Sequence, residues 1–180
     1  MLKALSLTQP WASLVWCSAK RIETRSWHTL WRGELAIHAA KVFPADCQQI
    51  CSVEPFARVL RRFGLVYDVE TRQGKATRLG LPTGAIVAVC KLSGCVATEE
   101  LLELGVVPDL ERAFGDFSPR RYGFLLEEIQ PLYEPVVCRG SLQIWDVDRE
   151  VEEEVRAQVR QTQEIAARKA AGRSVVFGAK

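Results

Sequence analysis

Apolar and polar positions alternate most plainly between Glu34 and Ala40, where Leu35, Ile37 and Ala39 make one face and Glu34, Ala36, His38 and Ala40 the other. A period of two predicts a strand with one face in a core. The same period from Arg21 to Trp27 sets Arg21, Glu23, Arg25 and Trp27 on one side and Ile22, Thr24 and Ser26 on the other. Lys3 to Leu7 is an apolar run of strand length, and Pro10 suits the first turn of a helix reaching about Ser18, because the N–H it lacks is not needed there. Lys20 then falls at the turn between helix and strand, a position from which its side chain is expected to be reachable. From Pro44 the pattern becomes helical, with a break at Pro55. Phe56, Val59, Leu60 and Phe63 recur at helical spacing, Arg58, Arg61 and Arg62 take the polar side, and Gly64 is the stop.

Leu65 to Gly84 has mixed polarity and carries Gly74, Gly80, Pro82 and Gly84, which predicts a long loop or flexible hairpin. It has little apolar surface to bury and bears Arg72, Lys75 and Arg78. The segment is therefore expected to be weakly ordered and to overhang a functional cleft. Ala85 to Val89 reads as a buried strand continuing to Val96, followed by a short helix over Glu99 to Leu104. Tyr122 to Ile129 and Gln143 to Val147 have strand character, separated by Pro131, Pro135 and Gly140. Val151, Val155, Val159, Thr162 and Ala166 then predict an amphipathic helix from Asp148 to about Ala171, capped by Asp148 and ended by Gly172. Short strands, many turns and interspersed helices make the fold class α+β. The expected organisation is a domain over 1–148, a C-terminal helix over 149–172 that packs on it or extends from it toward a protein partner, and a tail over 173–180.

Composition narrows the classes. A chain of 180 residues that is 48% apolar can supply the core of one domain. No basic region followed by an apolar segment opens the chain, and no apolar run approaches the roughly 20 residues of a membrane span, so a soluble, cytoplasmic protein without membrane contact is expected. The six cysteines have no zinc-knuckle spacing, which predicts reduced thiols, no metal site and no cofactor. The net charge of +2 conceals a division: residues 1–92 hold 13 Lys and Arg against 6 Asp and Glu, whereas residues 93–180 hold 11 against 16. Such asymmetry can focus an anionic ligand onto one face.

The candidate chemistry lies in the segment Ser18-Ala19-Lys20-Arg21-Ile22-Glu23-Thr24-Arg25, preceded by Gln9-Pro10-Trp11-Ala12 and followed by the Arg32 to Ala40 strand. It resembles the signature of the ASCH family, whose core reads Gly-x-Lys-x-x-Glu-x-Arg; Ser18 stands where the family usually has glycine. Leu81-Pro82-Thr83-Gly84-Ala85-Ile86-Val87 and Asp116-Phe117-Ser118-Pro119-Arg120-Arg121-Tyr122 extend the resemblance, which covers roughly positions 1–148. The resemblance implies a small twisted β-barrel of the PUA-like type with flanking helices, to which the C-terminal helix is an addition. It also implies RNA association.

Lys20 can offer a point charge, Arg25 a planar fork for phosphate or carbonyl, and Glu23 an acceptor for the N–H groups of a base. With Trp11, Trp27 or Tyr122 as a stacking face, and Arg120 and Arg121 at the cleft mouth, these residues form an expected cationic cleft for single-stranded RNA, a nucleotide or a modified nucleobase. His38, flanked by Ala36 and Ala40, is a further candidate wall. The alternative that the resemblance carries is a hydrolase acting on acylated cytidine nucleosides or on RNA, with Lys20 and Glu23 catalytic. The amidohydrolase branch of the family has a threonine where Glu23 stands, together with a distant glutamate. Thr24 is adjacent, but in an extended strand it is expected to face the opposite side.

Overall fold

The computed structural model describes residues 1–72 and 74–171. The proposed stop at Gly172 and the tail over 173–180 lie outside the described residues. Eight strands and six helices follow in the order β1 (Lys3–Leu7), α1 (Trp11–Trp16), β2 (Ile22–Arg25), β3 (Gly33–Ala39), α2 (Ala45–Ile50), α3 (Phe56–Arg62), β4 (Val66–Thr71), β5 (Gly74–Leu79), β6 (Ala85–Ala97), α4 (Thr98–Glu103), α5 (Asp109–Ala113), β7 (Tyr122–Val137), β8 (Ile144–Asp146) and α6 (Arg149–Ala170). Six strands form one mixed sheet in the order β2-β7-β6-β3-β1-β8, with β1 and β3 parallel and every other pair antiparallel.

The sheet curls into a half-barrel, and its alternating side chains divide the core. Leu5 and Leu7 of β1, Leu35 and Ile37 of β3, Val87 and Leu92 of β6, and Phe124 of β7 face the inside of the curl, where Ala12 and Val15 of α1 meet them. Ala4, Ala36, Ile86, Val89 and Val136 face the outside, where Val151, Val155 and Val159 of α6 cover them. The two faces read from the period of Glu34 to Ala40 are thus the two sides of one sheet. Arg156 of α6 forks onto Glu34, and the Leu2 N–H donates to Glu152 at 2.9 Å, so α6 is packed on the sheet by charge as well as by valines. Asp148 occupies the N-cap position of α6 but makes no side-chain capping bond.

The half-barrel closes through a side chain. Strand β8 pairs with β1 only from Lys3 to Leu5, which leaves Ser6 without a β8 partner. At that point the Nη2 of Arg25, on the opposite edge strand β2, donates to the Ser6 carbonyl at 2.7 Å. A guanidinium thereby joins the two ends of the curl where ladder hydrogen bonds stop, which also removes an open edge.

Two segments differ from the sequence reading. β7 does not end at Ile129 but runs to Val137 through Pro131 and Pro135, because β6 and β7 shift register three times and a proline is tolerated where the ladder is irregular. Leu65 to Gly84 is mostly an ordered hairpin, β4 paired with β5 from Val66↔Leu79 to Thr71↔Gly74. Its base is anchored: Val66 is buried with Leu60 and Phe114, and Leu65 and Leu79 pack beside them. Ser18 sits at φ 60 in the left-handed region just past α1. This explains the glycine usual at that position, since an L side chain there costs about 1–2 kcal/mol.

Two stability outcomes follow, both read by urea denaturation. Ser18→Gly raises stability by about 1 kcal/mol, the left-handed penalty less the added chain entropy of glycine. Val66→Ala lowers it by about 2 kcal/mol, the cost of two buried methyl groups and the space they leave.

Candidate functional site

Strand β2 is too short to hold its place by pairing alone, and buried charge fixes it. The turn after α1 is tied by the Ala19 and Lys20 N–H groups, which both donate to the Leu14 carbonyl at 2.9 and 3.0 Å. This turn drives Lys20 inward, where its side chain is 0% exposed. The expected reachable lysine is instead wholly enclosed. An unpaired buried ammonium would cost several kcal/mol, so its neighbours are acceptors. Nζ donates to the Ile22 carbonyl and lies 3.4 Å from Glu23 Oε2 and 4.0 Å from Glu111 Oε1.

Glu111, on α5, is the residue that the sequence reading missed. It accepts the Arg21 N–H at 3.1 and 2.9 Å and the Ile22 N–H at 2.8 Å, satisfying the outer edge of β2 while facing Lys20. Burial pushes its carboxyl above the ordinary range, against the lowering by those N–H groups and by Lys20. At ninety residues from Arg21, on a helix of five residues, it left no spacing signal in a single sequence.

Lys20, Glu23 and Arg25 form a continuous contact chain, since Glu23 Oε1 is 3.0 Å from Arg25 Nε. Only Glu23 of the three lines the adjoining cavity of about 410 Å³, together with Trp11, Thr24, Phe56, Phe114, Asp116 and Arg121. The aromatic wall is rigid: Trp11 Nε1 donates to the Phe114 carbonyl at 2.8 Å, and Phe56 stands edge-on to both Trp11 and Phe114. The expected cationic character is not found in this lining, where Glu23 and Asp116 outnumber Arg121. Arg121 itself is held by the Asp116 carboxylate at 3.3 Å and donates to the Thr24 carbonyl at 3.3 Å.

Thr24 faces as expected. Its side chain leaves β2 on the face opposite to Glu23, yet both line the same cavity, which wraps around the unpaired edge of that strand. Thr24 Oγ1 accepts the Asp116 N–H at 3.0 Å.

The remaining candidates separate. Trp27 packs edge-on to Phe124 with centroids 5.0 Å apart, and Tyr122 packs against His28; neither lines the Glu23 cavity. Arg120 is exposed, with φ 66, and its N–H donates to Glu99 at 2.7 Å. His38 lines a different cavity, with Ser6 and Gly140. None of the described hairpin residues lines the Glu23 cavity; Leu65 and Leu79 instead border an apolar cavity with Trp16 and Tyr133.

The separated sequence motifs meet here. Gln9, wholly buried, accepts the Ser13 N–H at 3.1 Å and donates to the Pro82 carbonyl at 2.6 Å, joining the Gln9-Pro10-Trp11 and Leu81-Pro82 segments. Thr24 and Arg121 join the Glu-x-Arg strand to the Asp116 to Tyr122 segment. Among the described residues no group of three His, Cys, Asp or Glu side chains is placed to hold a metal, and no helix is long and apolar enough to cross a membrane. All six cysteines are free, with burial pushing the Cys51 thiol up to about 11 and the Cys90 thiol to about 12.

The ASCH domain family model matches residues 5–133. Activating signal cointegrator 1 of Mus musculus and of Homo sapiens are each 29% identical over 147 residues, covering 82% of this chain; the chain spans 22% of their length. The solved ASCH structure from Zymomonas mobilis is 13% identical with a TM-score of 0.49, covering 87% of this chain and 94% of that one. A point mutant of the same protein gives the same TM-score.

Two outcomes test the buried charge and the histidine. Lys20→Met preserves volume but removes the ammonium between Glu23 and Glu111, leaving Glu23 with Arg25 alone and Glu111 with backbone N–H groups alone, and is expected to cost about 3–5 kcal/mol in urea denaturation. Burial lowers the His38 pKa below 6.5, against the Cys138 carbonyl that raises it. The unfolded chain therefore binds this proton more readily, so its contribution to stability is full above 6.5 and declines as pH falls through the folded-state value. An NMR titration of the ring should find that midpoint below 6.5.

Proposed function

The chain belongs to the ASCH domain family, and from that membership and the site we propose that it binds single-stranded RNA or a nucleotide by admitting one unstacked nucleobase between Trp11 and Glu23. The observation that carries this reading is a carboxylate ion-paired at both oxygens, with Lys20 and with Arg25, at the wall of an aromatic cavity. Its remaining lone pairs suit the amino or ring N–H donors of a base, and a cavity of about 410 Å³ suits a single base rather than a duplex. Trp11 supplies the π-face. Phosphates then fall at the rim, where Arg121 of the lining and its chain neighbour Arg120 supply the positive charge.

This division separates affinity from selectivity. In fluorescence-anisotropy titrations of single-stranded RNA and DNA at several salt concentrations, replacing Arg120 and Arg121 by alanine should make the salt slope shallower by about one or two. Glu23→Gln should leave the slope unchanged and alter the preference among bases by about tenfold. Equal base preference in wild type and Glu23→Gln defeats the reading, as does the absence of binding to either nucleic acid.

A second reading has its own support, the Lys20 ammonium buried between Glu23 and Glu111, with Glu23 and Thr24 lining one cavity. These groups are the equipment of a hydrolase for acylated cytidine nucleosides or RNA, with Glu23 orienting water or Thr24 attacking. Turnover of such substrates that is lost in both Glu23→Gln and Thr24→Val would establish it. Those variants spare Lys20, whose replacement disturbs folding.

A further inference from the structure

The larger cavity lies elsewhere, beside β1 and β3 at Ser6 and His38, and its chemistry is opposite in sign. It measures about 930 Å³, and among the described residues the only charged groups in its lining are Lys41 and Arg139. Both side chains are exposed, and among the described residues neither forms an ion pair. Among the described residues no carboxylate enters the lining. Two unpaired cations in a concave wall, with the hydroxyls of Ser6, Thr83 and Ser141 between them, make a field that favours a compact anion. Val42, Val137 and Leu142 are 72%, 81% and 89% exposed on the same lining, an apolar surface for the uncharged body of that anion.

We propose that this cavity is a second ligand site, one that holds the phosphate of a nucleotide-sized molecule between Lys41 and Arg139 above the Ser6–His38 floor. The floor is built rather than incidental. His38 Nδ1 is 3.1 Å from Ser6 Oγ and Nε2 is 3.3 Å from the Cys138 carbonyl; Trp145 Nε1 donates to Ser6 Oγ at 3.3 Å. Nε2 can only donate to that carbonyl, while Ser6 Oγ, which accepts from Trp145, has a single proton for either His38 Nδ1 or the Ser141 carbonyl 3.0 Å away. Gly140 closes directly over this pair, since a Cβ there would collide with His38 Cε1 and Nδ1 and approach Ser6 Oγ. The loop bearing Arg139 is thus held against His38 by a contact that only glycine allows. A phosphate placed above the floor would draw a proton toward the imidazole, so the ring reports occupancy.

The site does not depend on the nucleobase reading, because its groups are separate from Glu23 and Trp11. The test follows the His38 ring and the Lys41, Arg139 and Gly140 amides by NMR. The full chain is titrated with inorganic phosphate, uridine monophosphate, uridine and a short oligouridylate. Uridine monophosphate is expected to move these signals at concentrations at least about tenfold below those uridine requires, and to raise the His38 midpoint. Tighter binding of the oligonucleotide than of the mononucleotide would assign the phosphate to a nucleic-acid backbone, and the reverse to a free nucleotide. The double variant Lys41→Ala with Arg139→Ala should weaken uridine monophosphate by about tenfold or more with an unchanged Tm, and Glu23→Gln should leave it intact. Signals unmoved by millimolar phosphate and nucleotide, or moved equally in the double variant, overturn the proposal. So does a response abolished by Glu23→Gln, which would locate the ligand in the other cavity.

Discussion

An ammonium group without water is the constraint on which the site is built. Lys20 lies wholly inside the protein, and the acceptors that make this tolerable are distributed over two elements: a carbonyl and a carboxylate of β2, and a carboxylate of α5. Removing charges from water costs several kcal/mol each, and the attraction between them repays this only in a fixed geometry. The geometry thus orders the turn after α1, the edge of β2 and the position of α5 together. Glu111 serves twice, as a partner for Lys20 and as the acceptor for the β2 backbone.

The same charges continue outward to close the sheet. Glu23 turns its second oxygen to Arg25, and Arg25 reaches across to Ser6 where β8 has ended. The residue best placed to read a ligand is therefore one link in the chain that joins the two ends of the half-barrel. A ligand that competes for the Glu23 oxygens acts on groups that also hold β2 in place. On the proposed reading, recognition and closure would use one set of side chains, with Lys20 as a positioning residue rather than a contact.

The period of two at Glu34 to Ala40 was legible because both faces of β3 are buried against different layers, one under α1 and the other under α6. Lys20, Glu23 and Arg25 were legible as a group because they are close in sequence. The enclosure of Lys20 was not, since it follows from a left-handed Ser18 and from Glu111, neither of which has a local signal. Strand alternation set Thr24 on the face away from Glu23, where it lies, but could not say that one cavity reaches both residues. The hairpin at 66–79 escaped a firm strand assignment because one face bears Asp68 and Glu70 opposite Thr77 and Lys75, leaving a weak apolar pattern. His38 was recognised as a wall, but strand alternation could not say that its wall belonged to another cavity.

The first strand is held between β3 and β8, and the Leu2 N–H is satisfied by Glu152, so residues 2 and 152 must meet before the outer layer is complete. Contacts of such long sequence separation are entropically expensive to close and come late in folding. On a ribosome the apolar outer face of β1 and β3, carrying Ala4 and Ala36, would wait uncovered until the chain had been made past Val155. Synthesis at roughly 5–20 residues per second makes that interval several seconds or longer. For this architecture the period of greatest exposure to aggregation falls during translation, and it ends with the arrival of α6.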